Sequence, residues 1–229
     1  KRQEYTNELL PPFKKAFELL GKGEVEAGMK EFENIPAWFS EVQLSGGVGM
    51  TSGRHTSEST IFMEPGTYIM ECYVRMPTGL PHTFMGMYEE RVVKNTSNDM
   101  SPPQGDVEIN ISSSEGISFV DSLKTGAYSM KVNFVDQMQY EHFMGHDVNL
   151  VRVENDSLVD SLAKWLNAND MSALRTPAPE GLTFLGGVED LDAGKSGYFK
   201  ADLQKGNYVL ISEIPNALER QMYTTFKVY

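Results

Sequence analysis

The chain has 229 residues, of which 40% are hydrophobic and 10% aromatic, which suits one large or two small globular domains. Its formal net charge of −12 argues against nucleic acid and anionic membranes as partners, because both attract clusters of Lys and Arg. The single cysteine excludes an intrachain disulfide, and no apolar run approaches the roughly 20 residues that span a bilayer. A cationic partner, or simple solubility, accounts for the acidic balance.

Residues 5–35 are predicted to form a helical hairpin that packs on a sheet through its apolar side. Pro11 and Pro12 are typical of a first helical turn, and Gly21 and Gly23 interrupt the helical pattern. The apolar residues that recur at helical spacing are Leu10, Phe13, Phe17, Leu20, Val25, Met29 and Phe32.

Beyond Trp38 the chain changes to short alternating runs separated by Gly and Ser, a pattern typical of strands. Two segments of this region recur later in the chain. Residues 46–48, Gly-Gly-Val, return at 186–188, and residues 66–68, Gly-Thr-Tyr, return as Gly-Asn-Tyr at 206–208. The sequence therefore predicts an internal repeat.

The two copies of this repeat are predicted to meet in a polar stretch that contains Pro and Gly, residues 94–105. Because the copies align without a gap, we expect Tyr68 and Tyr208 to lie at matching core positions. After the boundary, the apolar pattern predicts strands at 107–111, 128–134 and 148–153, as three strands of a sandwich.

A helix is predicted after the third of these strands. We expect Asp156 or Ser157 to be its N-cap, and we expect the helix around Trp165 to cover the sheet. The second copy therefore contains strands, a helix and further strands, whereas the first copy begins at its helices.

The cysteine, a histidine and a methionine lie on one short segment, at Cys72, His82 and Met87. Residues 66–72 alternate as a buried strand, and Pro77 begins a loop that can return His82 and Met87 toward Cys72. Thiolate, imidazole and thioether are ligands of a blue-copper site, so this segment predicts copper binding.

Methionine is frequent in this chain, with 13 residues. Four of them fall at spacings typical of core positions, namely Met29, Met63, Met70 and Met130. Those that lie near His82 in the sequence are Met76, Met85 and Met87.

The segment from Gly66 to Met87 resembles the carboxy-terminal ligand loop of the cupredoxin family, of the plastocyanin type. In that family a Gly-x-Tyr strand leads into a Cys, and His-x-x-x-Gly-Met follows, which stands here as residues 82–87. Nine residues separate Cys72 from His82, several more than in the compact family loop.

The resemblance also implies a further imidazole just before a buried strand. His146 matches that position, and His142 competes for the role four residues earlier. However, His146 lies in the second copy, where Ser212 replaces Cys72 and no histidine precedes Met222. No single copy therefore contains all four ligands.

The predicted fold is mainly β, with two cupredoxin-like β-sandwich units that carry helical insertions. Residues 1–95 form the carboxy half of the first unit, 96–105 a linker, and 106–229 a complete second unit. The first unit lacks its amino-terminal strands, so we expect an upstream segment to supply them together with any export signal. The resemblance implies an extracytoplasmic protein that carries copper or transfers electrons with a protein partner, using Cys72, His82, Met87 and His146.

Two other functions remain open from the sequence. Both copies can be a metal-free structural or protein-binding module, because the second copy has already lost Cys and His. An enzyme has no positive support, because the acidic residues are scattered and the chain has neither a Gly-x-Ser-x-Gly elbow nor a phosphate-binding loop.

Overall fold

A computed structural model describes residues 1–96, 99–140 and 144–229. The chain forms two compact units. Unit 1 consists of Lys1–Gln43, Met63–Ser97 and Met171–Ala178, and unit 2 consists of Leu44–Phe62, Asn98–Asp170 and Pro179–Tyr229. This division differs from the predicted one in two segments, because residues 44–62 pack within unit 2 and residues 171–178 within unit 1.

Unit 1 begins with the predicted helices. They are α1 (Arg2–Glu4), a π-helical turn (Tyr5–Leu9), α2 (Leu10–Gly21) and α3 (Val25–Glu31), with short 3-10 helices at Phe32–Asn34 and Ala37–Glu41. Pro11 and Pro12 occupy the first turn of α2, as predicted. Phe13 of α2 packs against Phe32 with ring centroids 5.6 Å apart, so the apolar faces meet as the spacing predicts.

The sheet of unit 1 has two antiparallel strands, β2 (Gly66–Glu71) and β3 (Tyr88–Val93). Tyr5 covers one face of it, since its ring lies 5.1 Å from that of Tyr88 and its hydroxyl group bonds to Glu71 and to Thr83. Because side chains alternate along a strand, Met70 and Cys72 point to the face opposite Glu71. The hairpin therefore packs on the sheet as predicted.

Unit 2 contains two five-stranded sheets, which form the predicted β-sandwich and make the fold mainly β. The first sheet has the order β1-β10-β7-β4-β5 and the second β6-β12-β11-β8-β9; pairing is antiparallel except between β4 and β7 and between β6 and β12. The strands are β1 (Ser59–Thr60), β4 (Val107–Ser112), β5 (Gly116–Ser118), β6 (Ser122–Leu123), β7 (Gly126–Phe134), β8 (Val148–Val153), β9 (Leu182–Val188), β10 (Ser196–Leu203), β11 (Gly206–Ile211) and β12 (Tyr223–Val228). The strands predicted at 107–111, 128–134 and 148–153 are confirmed.

The predicted helix of unit 2 is α4 (Val159–Leu166), preceded by a 3-10 turn at Asp156–Leu158. The N-cap prediction was wrong by one residue, because Asn155 caps the turn by accepting a hydrogen bond from the Ser157 backbone N–H at 3.1 Å. Asn155, two residues after the end of β8, still has an extended backbone, which lets its side chain reach forward. Trp165 packs on Phe184 of β9 at 5.2 Å, so α4 covers the sheet as predicted.

The two Gly-Gly segments pair with each other inside unit 2. Val48 forms an antiparallel bridge with Val188, and Gly49 donates its N–H to the Gly187 carbonyl oxygen at 3.2 Å. Gly187 has φ of +157°, and a Cβ there would lie 1.8 Å from the Val148 carbonyl oxygen. The glycines therefore permit close backbone approach, which explains why residues 44–62 belong to unit 2.

The repeated Gly-x-Tyr segments share a local hydrogen bond. Tyr68 and Tyr208 each donate their hydroxyl group to the carbonyl oxygen four residues earlier, at 2.7 Å, and Tyr128 does the same at 3.0 Å. Tyr208 is fully buried, whereas Tyr68 is half-buried. The matching core positions are therefore not confirmed, and the tandem repeat stays a prediction.

Among the described residues, no helix combines the length and the apolar character that crossing a membrane requires.

Candidate metal centre

Cys72 and Met87 lie opposite each other just beyond the last pair of the β2–β3 ladder. That pair is Glu71 with Tyr88, and the Cys72 N–H then donates to the Met87 carbonyl oxygen at 3.0 Å. Residues that face each other in an antiparallel pair project their side chains to the same side of the sheet. The thiol and the thioether therefore share one face.

A closed turn brings His82 back to Cys72. The Met76 N–H donates to the Leu80 carbonyl oxygen and the Gly79 N–H to the Met76 carbonyl oxygen, both at 2.8 Å, while Gly79 takes the left-handed φ of +92° that glycine adopts readily. The His82 N–H then donates to the Val74 carbonyl oxygen at 2.8 Å. This turn therefore accommodates the extra residues between Cys72 and His82, which make the loop longer than that of the cupredoxin family.

The Cys72 Sγ and His82 Nδ1 atoms are 3.6 Å apart. Sulfur and nitrogen ligands sit about 2.3 and 2.0 Å from a bound transition metal, so two donors at this separation can reach one ion. Both residues are half-buried, and Met87 is exposed. The donor set of thiolate, imidazole and thioether fits copper.

The corresponding hairpin in unit 2 repeats this backbone pattern without the metal-binding side chains. The Ser212 N–H donates to the Met222 carbonyl oxygen at 3.0 Å, as Cys72 does to Met87. The Met222 N–H bonds to the Ala217 carbonyl oxygen at 2.8 Å, as Met87 does to His82 at 3.3 Å. Ala217 therefore stands at the position of His82, which the sequence comparison did not identify.

These three side chains of unit 2 are buried. Ser212 and Met222 have no exposed surface, so both side chains lie in the core. With a hydroxyl, a methyl and one thioether, this position does not fit copper.

His146 lies in unit 2, whereas Cys72, His82 and Met87 lie in unit 1. It is fully buried, with Nδ1 3.2 Å from the Asp136 carbonyl oxygen and Nε2 2.9 Å from the Tyr140 hydroxyl oxygen. Since a carbonyl oxygen only accepts, we assign the proton to Nδ1, and Nε2 accepts from Tyr140. Burial lowers the pKa of His146. The hydrogen bond to the Asp136 backbone and the charge of the Asp136 carboxylate partly offset this shift, and the imidazole is held neutral.

His146 as a copper ligand stays a prediction, and so does the complete set of Cys72, His82, Met87 and His146. The structure brings the first two of these side chains together and places Met87 opposite Cys72. His142, the competitor of His146, lies outside the described residues.

A group of three carboxylates includes the neighbour of His146 in the chain: Asp147 and Glu213 are buried, and Glu189 is half-buried. One oxygen from each of these side chains lies within 4.8 Å of the others. The Asn149 amide group donates to both Asp147 and Glu213 at 2.9 Å, and Ser212 Oγ donates to Asp147 at 2.6 Å. Such oxygen donors suit protons and hard cations rather than copper.

The order of the strands explains why these carboxylates meet. Asp147 directly precedes β8, Glu189 directly follows β9, and Glu213 comes two residues after β11. Because β8 is antiparallel to both neighbours, its start lies beside their ends. The view of the acidic residues as scattered was therefore wrong for this group. In the sequence, the signal for this group was an acidic residue at one end of each of three apolar strands. The strand order is needed to show that these three ends lie together.

Burial raises the pKa of Asp147 to about 7. Burial, together with the charge of Asp147, also raises the pKa of Asp190 well above its usual range. Asp147 is therefore partly protonated near neutral pH, because burial disfavours its ionised form.

The methionines of unit 1 differ from the predicted core pattern. Met130 of unit 2 is fully buried as predicted, but Met29 and Met70 are 50% and 57% exposed. Met85 and Met87, near His82, are 64% and 58% exposed. Met70 is exposed because the helices cover only the other face of β2.

No protein-family model matches the chain, and no curated protein matches it. Among solved structures, the chain is similar to auracyanin B, with 17% identity and a TM-score of 0.37 over 58% of this chain and 95% of that chain. It is similar to reduced auracyanin from the photosynthetic bacterium Roseiflexus castenholzii, with 13% identity and a TM-score of 0.37 over 53% of this chain and 94% of that chain. Spinach plantacyanin matches with 16% identity and a TM-score of 0.28, over 53% of this chain and 99% of that chain.

These structural neighbours are cupredoxins. At these low identities and TM-scores, the similarity does not assign a function to this chain.

Proposed function

We propose that this protein binds copper through Cys72, His82 and Met87 of unit 1 and acts without catalysis, in copper carriage or electron transfer. The observation that carries the proposal is the 3.6 Å separation between Cys72 Sγ and His82 Nδ1. Thiolate and thioether are soft ligands that favour copper, and this site offers both together with an imidazole.

The backbone around the site supports this proposal. The Thr83 N–H donates to the Cys72 carbonyl oxygen at 2.9 Å, and the Gly86 N–H donates to the Thr83 carbonyl oxygen at 3.0 Å. These bonds hold the short helix His82–Met85 against the end of β2. The chain therefore presents the thiol and the imidazole to one point before any metal arrives, which reduces the entropy lost on binding.

For unit 2 we propose a structural or partner-binding role. Ser212 and Ala217 stand where unit 1 has Cys72 and His82, and this replacement favours the metal-free alternative for this unit alone. The core around β8 and β11 consists mainly of buried apolar side chains.

We also propose an extracytoplasmic location and a protein partner, both from the resemblance to cupredoxins. The net charge of −12 favours a partner with a cationic surface, because the long-range field of an acidic protein steers positively charged molecules toward it.

Copper titration of the full chain tests the proposed site. We expect one equivalent to bind to the native protein and none to bind tightly to Cys72→Ser or His82→Ala. Serine is a conservative test at residue 72, because Ser212 already occupies the corresponding position in unit 2. Retention of full copper binding by Cys72→Ser, with its circular dichroism unchanged, would refute the proposed site.

A further inference from the structure

We infer that the unpaired edge of β2 binds an extended, positively charged segment of a partner protein, which adds a third strand to the sheet of unit 1. The inference rests on the cationic partner proposed above and specifies how it binds, but it does not depend on copper. It follows from the backbone of β2, from the paired edge of β11 in unit 2, and from the charges beside the two strands.

The backbone groups on one edge of β2 have no strand partner. In the part of the chain that the structure describes, β2 pairs with β3 alone, in a regular ladder from Gly66 to Glu71. The Cys72 N–H points toward β3, and successive residues of a strand direct their N–H and C=O groups to opposite edges. The groups of Thr67, Ile69 and Glu71 therefore point away from β3.

This edge lacks the features that usually protect an edge strand. β2 contains neither proline nor lysine, its register with β3 has no bulge, and its one charged side chain, Glu71, bonds to Tyr5. A two-stranded sheet is also marginally stable in water, and a third strand satisfies further backbone groups. The edge therefore suits strand addition, in which main-chain hydrogen bonds hold an extended peptide.

The corresponding hairpin of unit 2 shows such a third strand within the chain itself. β11 has the same Gly-x-Tyr start as β2, and β8 pairs along the edge of β11 that points away from β12. Arg152 of β8 stands opposite Tyr208 and donates to the Lys205 carbonyl oxygen at 2.9 Å. A Cβ at Gly206 would lie 2.9 Å from Arg152 Nε, so the glycine makes room for the guanidinium group.

Unit 1 keeps the space for such an arginine. Gly66 corresponds to Gly206, and the atoms nearest to a Cβ at Gly66 belong to the Tyr68 ring, the first of them at 3.5 Å. An arginine opposite Tyr68 would lie beside this ring, and an aromatic face attracts a cation. The glycine and the tyrosine therefore suit a basic side chain on the added strand.

The charges near this edge favour a basic strand. Tyr68 donates to the Glu64 carbonyl oxygen as Tyr208 donates to that of Gln204, so an exposed carboxylate stands where unit 2 has a neutral amide. The whole chain carries a net charge of −12. This charge attracts a basic segment, whereas two copies of the chain repel each other. We therefore assign the edge to a partner protein rather than to a second copy.

Residue-resolved hydrogen exchange of the reduced, copper-free full chain tests the inference. The probe is a peptide with the sequence of β8 (Val148–Val153) and a lysine at each end, and a control peptide has glutamate in place of its arginine. We expect excess probe to slow exchange severalfold at the amides of Thr67, Ile69 and Glu71. The control peptide should protect them much less, and added salt should reduce the protection, because salt screens the attraction. The amides of β11 that already pair with β8 should not change.

An edge variant locates the binding on the backbone. Ile69→Pro removes the central outward N–H but keeps the ladder with β3, because an edge strand tolerates proline where its N–H faces solvent. It should abolish the protection of Thr67 and Glu71 by the probe. Ile69→Val keeps the N–H and should bind the probe like the native protein.

A charge variant tests the preference for a basic strand and does not alter β2. Glu64→Gln gives unit 1 the residue that unit 2 has at the corresponding position, and it should weaken binding of the probe severalfold and reduce its salt dependence. Glu219→Gln is the control, because it changes the net charge equally at an exposed residue of unit 2. It should bind the probe like the native protein.

The possible failures are distinguishable. No protection by the probe, or native-like binding in both Ile69→Pro and Glu64→Gln, would overturn the assignment to this edge. Protection of Thr67 and Ile69 without peptide that increases with protein concentration, together with a dimer in analytical ultracentrifugation, would replace the partner by a second copy. None of these results concerns copper, which the Cys72→Ser titration tests separately.

Discussion

His82 and Ala217 show how single residues decide chemistry on a shared backbone. Each accepts a hydrogen bond from the methionine five residues later, and each lies near the end of a strand that began with Gly-x-Tyr. The imidazole beside Cys72 makes unit 1 a candidate metal centre. The methyl group of Ala217 leaves the corresponding hairpin of unit 2 without this imidazole.

Met87 and Met222 allow a matched comparison of one substitution. Met87→Leu should weaken copper binding by about tenfold, or about 1.4 kcal/mol, because a thioether is a weaker ligand than the thiolate. Met222→Leu should leave copper affinity unchanged and cost less than about 1.5 kcal/mol of stability, because the swap conserves volume in the core. Chelator competition and urea unfolding measure the two effects. Equal copper affinity in Met87→Leu and the native protein would show that Met87 is not a ligand.

The raised pKa values of Asp147 and Asp190 predict a pH dependence of stability. An unfolded Asp has a pKa near 3.9, so the folded state binds extra protons, and the stability that they contribute is lost as pH rises through about 7. The contribution of Asp147 to the free energy of unfolding should therefore fall as pH rises from about 4 to about 7 and level off above that. The lowered pKa of His146 acts in the opposite direction, but only as pH falls below its unfolded value near 6.5.

Asp190→Asn tests this dependence. It removes a buried charge that acts on Asp147, so we expect a smaller fall in stability and a gain on the order of 1–3 kcal/mol at pH 8.5. Asp192→Asn is the control, because Asp192 is exposed and pairs with Lys195 at 2.8 Å. Urea unfolding of the three proteins at several pH values measures the slopes. A native-like slope in Asp190→Asn would exclude this carboxyl as its source.

At the scale of elements, β2 and β11 both begin with Gly-x-Tyr, and the tyrosine of each donates the same local hydrogen bond. The two tyrosines differ in how far they are buried. Tyr208, which is buried, donates to the Gln204 carbonyl oxygen at 2.7 Å and accepts from the Gln204 N–H at 3.0 Å, and both bonds are part-buried. Tyr68 has the donated bond alone and lies nearer to solvent. The same motif therefore stabilises the two hairpins to different extents.

Replacing each tyrosine by phenylalanine measures this difference. Tyr208→Phe removes two part-buried hydrogen bonds to the Gln204 backbone, so it should cost about 1–3 kcal/mol. Tyr68→Phe should cost less than about 1 kcal/mol, because water can replace the hydroxyl group. Thermal and urea unfolding would report both. A larger loss in Tyr68→Phe would contradict the burial argument.

At the scale of the whole molecule, copper should act on one unit only. A ligand that binds the native state stabilises it by about 2.7 kcal/mol at 100 times its dissociation constant. With Cys72, His82 and Met87 of unit 1 as the proposed donors, copper should slow amide hydrogen exchange at Cys72 and Thr83 and leave Ser212 and Met222 unchanged. Hydrogen-exchange mass spectrometry with and without copper measures this. Copper-dependent protection at Ser212 would place metal in unit 2.

The sequence by itself determined the local structure of this protein. The spacing of Phe13 and Phe17 predicted α2, and alternating residues predicted β4 and β7, because helical and strand periodicities are properties of adjacent residues. The pattern of residues 66–87 also predicted that Cys72 and His82 are neighbours, because the turn between them forms from residues close together in the sequence. The N-cap at Asn155 was missed by one residue, as the ends of elements depend on the preceding strand.

Only the tertiary structure decided the relations that depend on strand order. Gly47 and Gly187 look like equivalent positions of two copies, yet their segments pair within one unit. Asp147, Glu189 and Glu213 are far apart in the chain, and they meet because β8 runs antiparallel between β9 and β11. Met70 fits a core pattern but is exposed, because a strand's periodicity separates its two faces without specifying which of them is covered.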